Sequence, residues 1–183
     1  MSDRRFLAKV ILVGRHGVGK TSLIQSYLHG EIRSDYKATI GLDIYRTEVE
    51  VGGVTFFLQL WDLSGQTHFQ DIRKRFYKGA SAAILVFDQS QAEESLDSLA
   101  KVWAPEVLPL TVPLMVAGNK SDLTPADGPE QTLLGELVAG FCRSYPLDPL
   151  TDVVGTSAKD GTNVKHLFTR MAEKILTQRS WQM

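Results

Sequence analysis

The chain has 183 residues, of which 43% are hydrophobic and 22% charged, the composition of an ordinary globular protein, and we expect one domain over residues 1–183. Its formal net charge of −1 gives no electrostatic reason to expect nucleic acid or an acidic membrane surface as the main partner. The single cysteine, Cys142, excludes a disulfide framework and a cysteine-based zinc site, and it fits a reducing compartment inside the cell.

Neither the apolar runs nor the termini carry a membrane signal. No run approaches the ~20 apolar residues that span a bilayer, and the N-terminus, "MSDRRFLAKV", lacks the apolar region of a signal peptide. Ser2 stands where myristoylation needs glycine, and the last residues, "TQRSWQM", offer no cysteine for prenylation. We therefore expect a cytoplasmic protein with no lipid anchor encoded in this chain, which would reach a membrane only through partners or through a C-terminal tail missing from this sequence.

Apolar runs of strand length alternate with segments of helical spacing along the chain. Strands are predicted over residues 6–13, 55–61, 82–87, 112–117 and 152–155. Helices are predicted over residues 21–29, 69–78, 92–107, 131–144 and 164–179. Most of the strands are apolar throughout, which is typical of strands buried on both faces of a sheet. The alternation predicts an α/β fold with helices on both faces.

One segment interrupts this alternation. Residues 42–61, "LDIYRTEVEVGGVTFFLQLW", contain two strands joined at Gly52-Gly53, a two-residue signal that favours a β-hairpin. We therefore predict a six-stranded, mostly parallel sheet with one antiparallel edge strand. The turn-rich residues 123–131, "LTPADGPEQ", are the expected surface loop.

A glycine-rich sequence lies between the first predicted strand and the first predicted helix. Residues 14–21, "GRHGVGKT", match the phosphate-binding pattern G-x-x-x-x-G-K-[ST] in its expected context. Glycines let consecutive backbone N–H groups point at a phosphate, and the helix adds its own free N–H groups. Lys20 supplies a cation for the β- and γ-phosphates, and Thr21 a hydroxyl for Mg²⁺. The expected phosphate-binding residues are His16, Gly17, Val18, Gly19, Lys20, Thr21 and Ser22, with Lys20 also a catalytic candidate.

A second motif, Asn119-Lys120-Ser121-Asp122, follows another predicted strand, where the ligands of open α/β sheets collect. An aspartate there accepts hydrogen bonds from N1–H and the 2-amino group of guanine. Adenine has neither donor and would leave the carboxylate unpaired. The run Thr156-Ser157-Ala158-Lys159 follows the next strand and is expected to close the pocket over the base. The predicted base-binding residues are Asn119, Lys120, Asp122, Ser157, Ala158 and Lys159.

These motifs resemble those of the Ras superfamily of small GTPases. The glycine-rich loop, Thr39, Trp61-Asp62-x-x-Gly65-Gln66, Asn-Lys-x-Asp and Ser-Ala-Lys follow one another in the family's order over essentially the whole chain. The resemblance is nearest to the Rab branch in "KATIGLDI", "LQLWDLSGQTHF", "RFYKGASAAILVFD" and "GNKSDL". It implies a P-loop NTPase (small G-protein) fold.

The resemblance also implies a role for each matching residue. Thr39 would contact Mg²⁺ and the γ-phosphate only in the triphosphate state, and Asp62 would hold the metal, usually through water. The N–H of Gly65 would sense the γ-phosphate, and Gln66 would position the attacking water. Tyr36 would fold over the nucleotide.

As a whole, the resemblance implies a switch that binds GTP or GDP with Mg²⁺, hydrolyses GTP slowly and recruits effectors in intracellular membrane traffic. Effectors, activating proteins and exchange factors would bind the switch regions at residues 36–44 and 61–77. Within them, Ile44, Trp61 and Tyr77 match the triad that faces effectors in Rab proteins. We expect a monomer that binds no nucleic acid.

Departures from the family pattern leave alternatives open. His16 stands where the family prefers glycine, and its ring either crowds Gln66 and a partner's arginine or turns toward solvent. Leu63 and Ser64 replace Thr-Ala, and Ser64 either hydrogen-bonds near the γ-phosphate or has no role. Ile32 replaces an aromatic residue at the guanine edge, which we expect to loosen nucleotide retention.

Two other functions compete with a GTPase switch. One is a guanine-nucleotide-binding interaction module with little or no hydrolysis, against which Gln66 argues. The other is a P-loop nucleotide kinase, against which Asp122 and the apparent lack of an arginine-rich lid argue. The basic run Arg73-Lys74-Arg75 is expected to be a solvated helix face rather than a nucleic-acid patch.

Overall fold

A computed structural model of the chain describes residues 4–30, 41–65, 70–148, 150 and 152–180. The strands are β1 (Arg4–Val13), β2 (Leu42–Val51), β3 (Val54–Leu63), β4 (Ala82–Asp88), β5 (Leu114–Asn119) and β6 (Val153–Gly155). The helices are α1 (Lys20–His29), α2 (Gln70–Arg75), α3 (Ala92–Ser98), α4 (Ala104–Val107), α5 (Pro129–Arg143) and α6 (Val164–Ser180).

The strands form a six-stranded sheet in the order β2-β3-β1-β4-β5-β6. All neighbouring strands are parallel except β2, which runs antiparallel to β3 at one edge. This arrangement confirms the predicted sheet. The chain leaves β1 toward one edge and β4 toward the other, and such a reversal of strand order opens a crevice at the carboxyl ends of the two strands.

The β2–β3 connection is the hairpin that the sequence predicts. Val51 pairs with Val54, so Gly52 and Gly53 form a two-residue turn. Their φ angles are 58° and 72°, and a type I′ turn requires positive φ at both positions. Glycine supplies this conformation without steric cost, which is why the glycine pair identified the turn.

Apolar side chains cover both faces of the sheet. On one face, Leu12 and Phe56 belong to a buried cluster with side chains of α1 and α6, including Ile24 and Phe168. On the other face, residues of β1 and β4 pack with α3, α4 and α5, and Trp103 is the largest fully buried side chain there. Because neighbouring residues of a strand point to opposite faces, the uniformly apolar strands supply both clusters.

The helix predicted over residues 92–107 is interrupted. It consists of α3, a π-helical turn over Leu99–Trp103, and α4. Pro105 has no N–H to donate to the carbonyl four residues earlier, and the preceding Ala104 N–H bonds to the oxygen of Leu99, five residues earlier. The helix predicted over residues 69–78 is also shorter, since α2 ends at Arg75 and turns follow.

Among the helices that the structure describes, none has both the length and the apolar character needed to cross a membrane.

Candidate functional site

The glycine-rich loop joins β1 to α1 at the crevice beside β4. Gly17 and Gly19 have φ angles of 84° and 94°, which glycine adopts readily. A Cβ on Gly19 would lie 2.3 Å from the Asn119 side-chain nitrogen, so this close approach requires glycine. Asn119 in turn donates a 2.9 Å hydrogen bond to the carbonyl of Val18, 101 residues away in the chain. The two predicted motifs therefore meet directly.

Lys20 is held inside its own loop. Its ammonium donates to the carbonyl oxygens of Gly14 at 2.8 Å and Arg15 at 3.1 Å, and the residue is 6% exposed. Burial lowers the pKa of Lys20 to about 8, the negative charge of Asp62 opposes this shift, and the positive charge of Arg73 adds to it. An ammonium has three donors, so a third N–H remains for an anion in front of the loop.

Thr21 and Asp62 bring together two oxygen atoms that could act as metal ligands next to this loop. The Thr21 hydroxyl donates to a carboxylate oxygen of Asp62 at 2.5 Å, and the residues are 8% and 0% exposed. A hydroxyl and a carboxylate oxygen are the kinds of ligand that Mg²⁺ takes, so the pair fits this ion. Thr39, the third predicted ligand, lies outside the described residues.

A cavity of about 460 Å³ extends from the loop to the ends of β5 and β6. Its volume lies within the usual range of small-molecule sites, roughly 300–1,000 Å³. It is lined by His16, Gly17, Gly19, Ser22, Asn119, Lys120, Asp122, Leu123, Ala158 and Lys159. Except for Leu123, all of these residues were predicted from the sequence to bind nucleotide.

Asp122 is oriented by the run that follows β6. Ser157 donates a 2.8 Å hydrogen bond from its hydroxyl to one oxygen of Asp122, and the ammonium of Lys159 lies 3.7 Å from the other. The N–H of Ala158 also donates to the side-chain oxygen of Asn119 at 3.1 Å. The run over residues 156–159 therefore holds both ends of the Asn-Lys-x-Asp motif in place.

The start of the second switch region packs against the glycine-rich loop. A Cβ on Gly65 would lie 2.4 Å from the backbone of both Arg15 and His16, so a larger residue would force the two segments apart. Ser64 is 2% exposed, and its N–H donates to the carbonyl of Gly41 at 3.0 Å. Glycine at position 65 thus permits contact between the segments.

Other predicted site residues lie outside the part of the chain that the structure describes. These are Tyr36, Thr39 and Gln66, and Ile32 lies there as well. His16 is exposed and lines the cavity. Its suggested contact with Gln66 stays a prediction.

The structure departs from two expectations about the second switch region, although Lys74 and Arg75 of the basic run are exposed as predicted. Arg73, expected on a solvated face, is 2% exposed and forms a two-pronged ion pair with Glu106, at 2.9 and 3.1 Å. Tyr77, matched to a partner-facing residue, is 3% exposed and donates to Glu106 at 2.6 Å. The Arg73 guanidinium also lies 4.0 Å from the centre of the Trp103 ring. Ile44, by contrast, is 46% exposed.

Sequence reasoning overlooked Asp88, which ends β4 and pairs with Asn119 at the end of β5. Its carboxylate forms a 2.6 Å ion pair with the ammonium of Lys120. One signal was available, because Asp88 ends a strand at the same edge of the sheet as the glycine-rich loop. Glu106, whose side chain is 4% exposed, had no such signal, since it lies on a short helix and not at the end of a strand.

Comparisons with known proteins agree with these observations. A model of the Ras family matches residues 9–177. The Ras-related protein RABG3a of Arabidopsis thaliana is 38% identical over 98% of this chain and 87% of its own length. The Ras-related protein Rab7 of Pisum sativum is 38% identical over 96% of this chain and 85% of its own. RABG3e of Arabidopsis thaliana is 40% identical over 91% of this chain and 81% of its own.

Proposed function

The chain belongs to the Ras family and is a Rab-like small GTPase, and from that premise we propose that GTP and GDP occupy the cavity between the glycine-rich loop and the ends of β5 and β6. The observation that carries this assignment is the meeting of three motifs: Asn119 bonds to Val18 of the glycine-rich loop, and Ser157 of the run after β6 bonds to Asp122. Phosphates would lie at the loop and the base at Asp122.

Asp122 selects guanine in this proposal. Its carboxylate is 15% exposed and is oriented by Ser157, so it is ready to accept hydrogen bonds from N1–H and the 2-amino group. Adenine would supply neither of these two donors to the shielded carboxylate, which costs more than the hydrogen bonds themselves contribute. Ala158 and Lys159 line the same end of the cavity and would contact the base.

The glycine-rich loop and its neighbours hold the phosphates. Backbone N–H groups of residues 17–22 point toward the anion in such loops, and Lys20 donates its remaining N–H to the β- and γ-phosphates. Thr21 and Asp62 would hold Mg²⁺, with Thr39 as a further ligand. When bound, this ion neutralises charge on the transferred phosphoryl group.

Hydrolysis and switching follow from the same residues. Phosphoryl transfer needs positioning and neutralisation of charge, and Gln66 would orient the attacking water. Gly65 lies beside the loop, where its N–H would bond to the γ-phosphate. Loss of that phosphate would release Gly65 and Thr39, so that partners distinguish the two nucleotide states. We place this switch in intracellular vesicle traffic, in keeping with the Rab relatives.

Single-turnover hydrolysis tests this proposal. The purified chain is loaded with GTP, bound nucleotide is followed by chromatography, and Gln66→Leu is run in parallel, with ATP loading as the control for base selection. We expect retention of GTP but not ATP, and conversion to GDP that is at least about tenfold slower in the variant. GTP that stays unconverted in both proteins would instead favour the interaction module without hydrolysis.

A further inference from the structure

Lys120 is fixed at both its backbone and its side chain. Its φ angle is 65°, an uncommon value for a residue other than glycine, and the N–H of the next residue, Ser121, donates to the carbonyl of Thr156 at 3.0 Å. Its ammonium lies 2.6 Å from Asp88. Lys120 lines the candidate nucleotide cavity, whereas Asp88 does not. The ammonium of Lys120 is therefore held by a residue that does not itself line the cavity.

Asp88 is itself held rigidly. It is 4% exposed and pairs with Asn119 in the β4–β5 ladder, so it lies beside the start of the Asn-Lys-x-Asp motif. One carboxylate oxygen accepts from the N–H of Ser90 at 3.0 Å and from its hydroxyl at 2.7 Å. The Asp88 N–H donates to the hydroxyl of Ser95 at 2.9 Å. These bonds leave the other carboxylate oxygen directed at Lys120.

We propose that Asp88 is a positioning residue that slows nucleotide release. It does so by holding the Lys120 side chain in one position at the cavity. The proposal rests on the function proposed above for this cavity. With its ammonium on Asp88, Lys120 presents its methylene stem to the ligand, as lysines commonly do when their charge is held elsewhere.

The physical advantage is pre-organisation. A free lysine side chain samples many rotamers, and fixing it only when a ligand binds would cost affinity. The ion pair between Asp88 and Lys120 is largely shielded, with side-chain exposures of 6% and 33%, so solvent screens it less than a surface pair. Because Asp88 already orders the Lys120 side chain in the free protein, nucleotide binding does not have to order it. Loss of Asp88 is therefore expected to speed nucleotide release.

The test measures the dissociation of fluorescently labelled GDP from the full chain carrying Asp88→Asn, Lys120→Met or both. We expect Asp88→Asn to release GDP about tenfold faster, the effect of losing one strong charge-assisted contact. In the Lys120→Met background, Asp88→Asn should change the rate no further, because Asp88 acts only through Lys120. Asp97→Asn is the matched control, since it breaks an exposed ion pair with Lys101 on the neighbouring helix.

A second variant addresses folding. Ser90→Ala removes the hydroxyl that fixes Asp88 but leaves the carboxylate, and it should speed release about threefold, again only when Lys120 is present. Unchanged release in Asp88→Asn, or equal acceleration with and without Lys120, would overturn the proposal. Failure of the unmodified chain to bind GDP is a separate result, which would overturn the proposed function first.

Discussion

At the scale of single residues, the glycine-rich loop buries the ammonium of Lys20, and this burial disfavours its charged form. The pKa of Lys20 falls from 10.5 to about 8 because the ammonium is desolvated, and Asp62 offsets this only partly. The folded chain therefore disfavours the protonated form relative to the unfolded chain. A phosphate placed against the ammonium would reverse this, since a nearby negative charge raises the pKa of a lysine.

This shift predicts a pH dependence of stability. Between about pH 8 and 10.5 the unfolded chain binds more protons at position 20 than the folded chain, so the free energy of unfolding rises with pH in that window. Relative to Lys20→Met, the nucleotide-free chain should gain at most about 1.4 kcal/mol per pH unit there. Urea denaturation of both proteins at several pH values measures the difference. A constant difference from pH 7 to 10 would contradict the lowered pKa.

Single residues also show where sequence reasoning was sufficient. Gly17, Gly19, Lys20 and Thr21 lie within five consecutive residues. The cradle they form is local, so their spacing alone predicted it. The same spacing predicted nothing about Ser157 bonding to Asp122, because that contact joins residues 35 positions apart.

At the scale of elements, a buried cluster joins α2 to α4. Arg73 pairs with Glu106, Tyr77 donates its hydroxyl to the same carboxylate, and the guanidinium lies over Trp103. Burial raises the pKa of Tyr77, with the hydrogen bond to Glu106 acting in the same direction, so its hydroxyl stays protonated as a donor. The cluster anchors the end of the second switch region to the helical layer beneath it.

Breaking the Arg73–Glu106 pair should be costly. Arg73→Met leaves a buried carboxylate without its cation, and we expect the free energy of unfolding to fall by about 3–5 kcal/mol. The control is Arg170→Met, which breaks the more exposed Arg170–Glu173 pair and should change stability by less than about 1 kcal/mol. Urea denaturation measures both, and equal losses would show that the cluster is not the anchor we describe.

The burial of Tyr77 also restricts the surface that partners meet. In this structure the matching residues that remain accessible are Ile44 and, in part, Trp61, whose ring is covered by the Lys9 ammonium 3.5 Å from its centre. A family pattern alone predicts three partner-facing residues. Tertiary packing removes one of them, because Tyr77 lies in the apolar cluster that contains Trp103 and its hydroxyl bonds to Glu106.

At the scale of the whole molecule, one sheet separates two apolar clusters. Phe168 lies in one cluster, stacked on Tyr27 with ring centroids 4.3 Å apart, and Trp103 lies in the other. Both clusters include side chains of β1 and β4. Disrupting the packing of one cluster should therefore destabilise these strands and, with them, the other cluster. On this ground we propose that the chain folds as one domain.

A single cooperative transition should therefore unfold the chain. Tryptophan fluorescence, which includes Trp103, and far-ultraviolet circular dichroism should give coincident urea curves. Phe168→Ala should lower the free energy of unfolding by about 3–5 kcal/mol through the cavity it leaves, and it should shift both curves together. Movement of the dichroism curve without the fluorescence curve would indicate two independently folding units.

The sequence by itself determined the order of strands and helices, the β2–β3 turn and the glycine-rich loop, because each depends on periodicity or on residues that are neighbours in the chain. The tertiary structure alone decided which distant side chains meet. The pairs Asp88–Lys120 and Arg73–Glu106 are separated by 32 and 33 residues, and nothing in either local sequence names the partner. Each pair forms because the strand order and the packing of helices on the sheet bring two segments together, and those are properties of the folded chain as a whole.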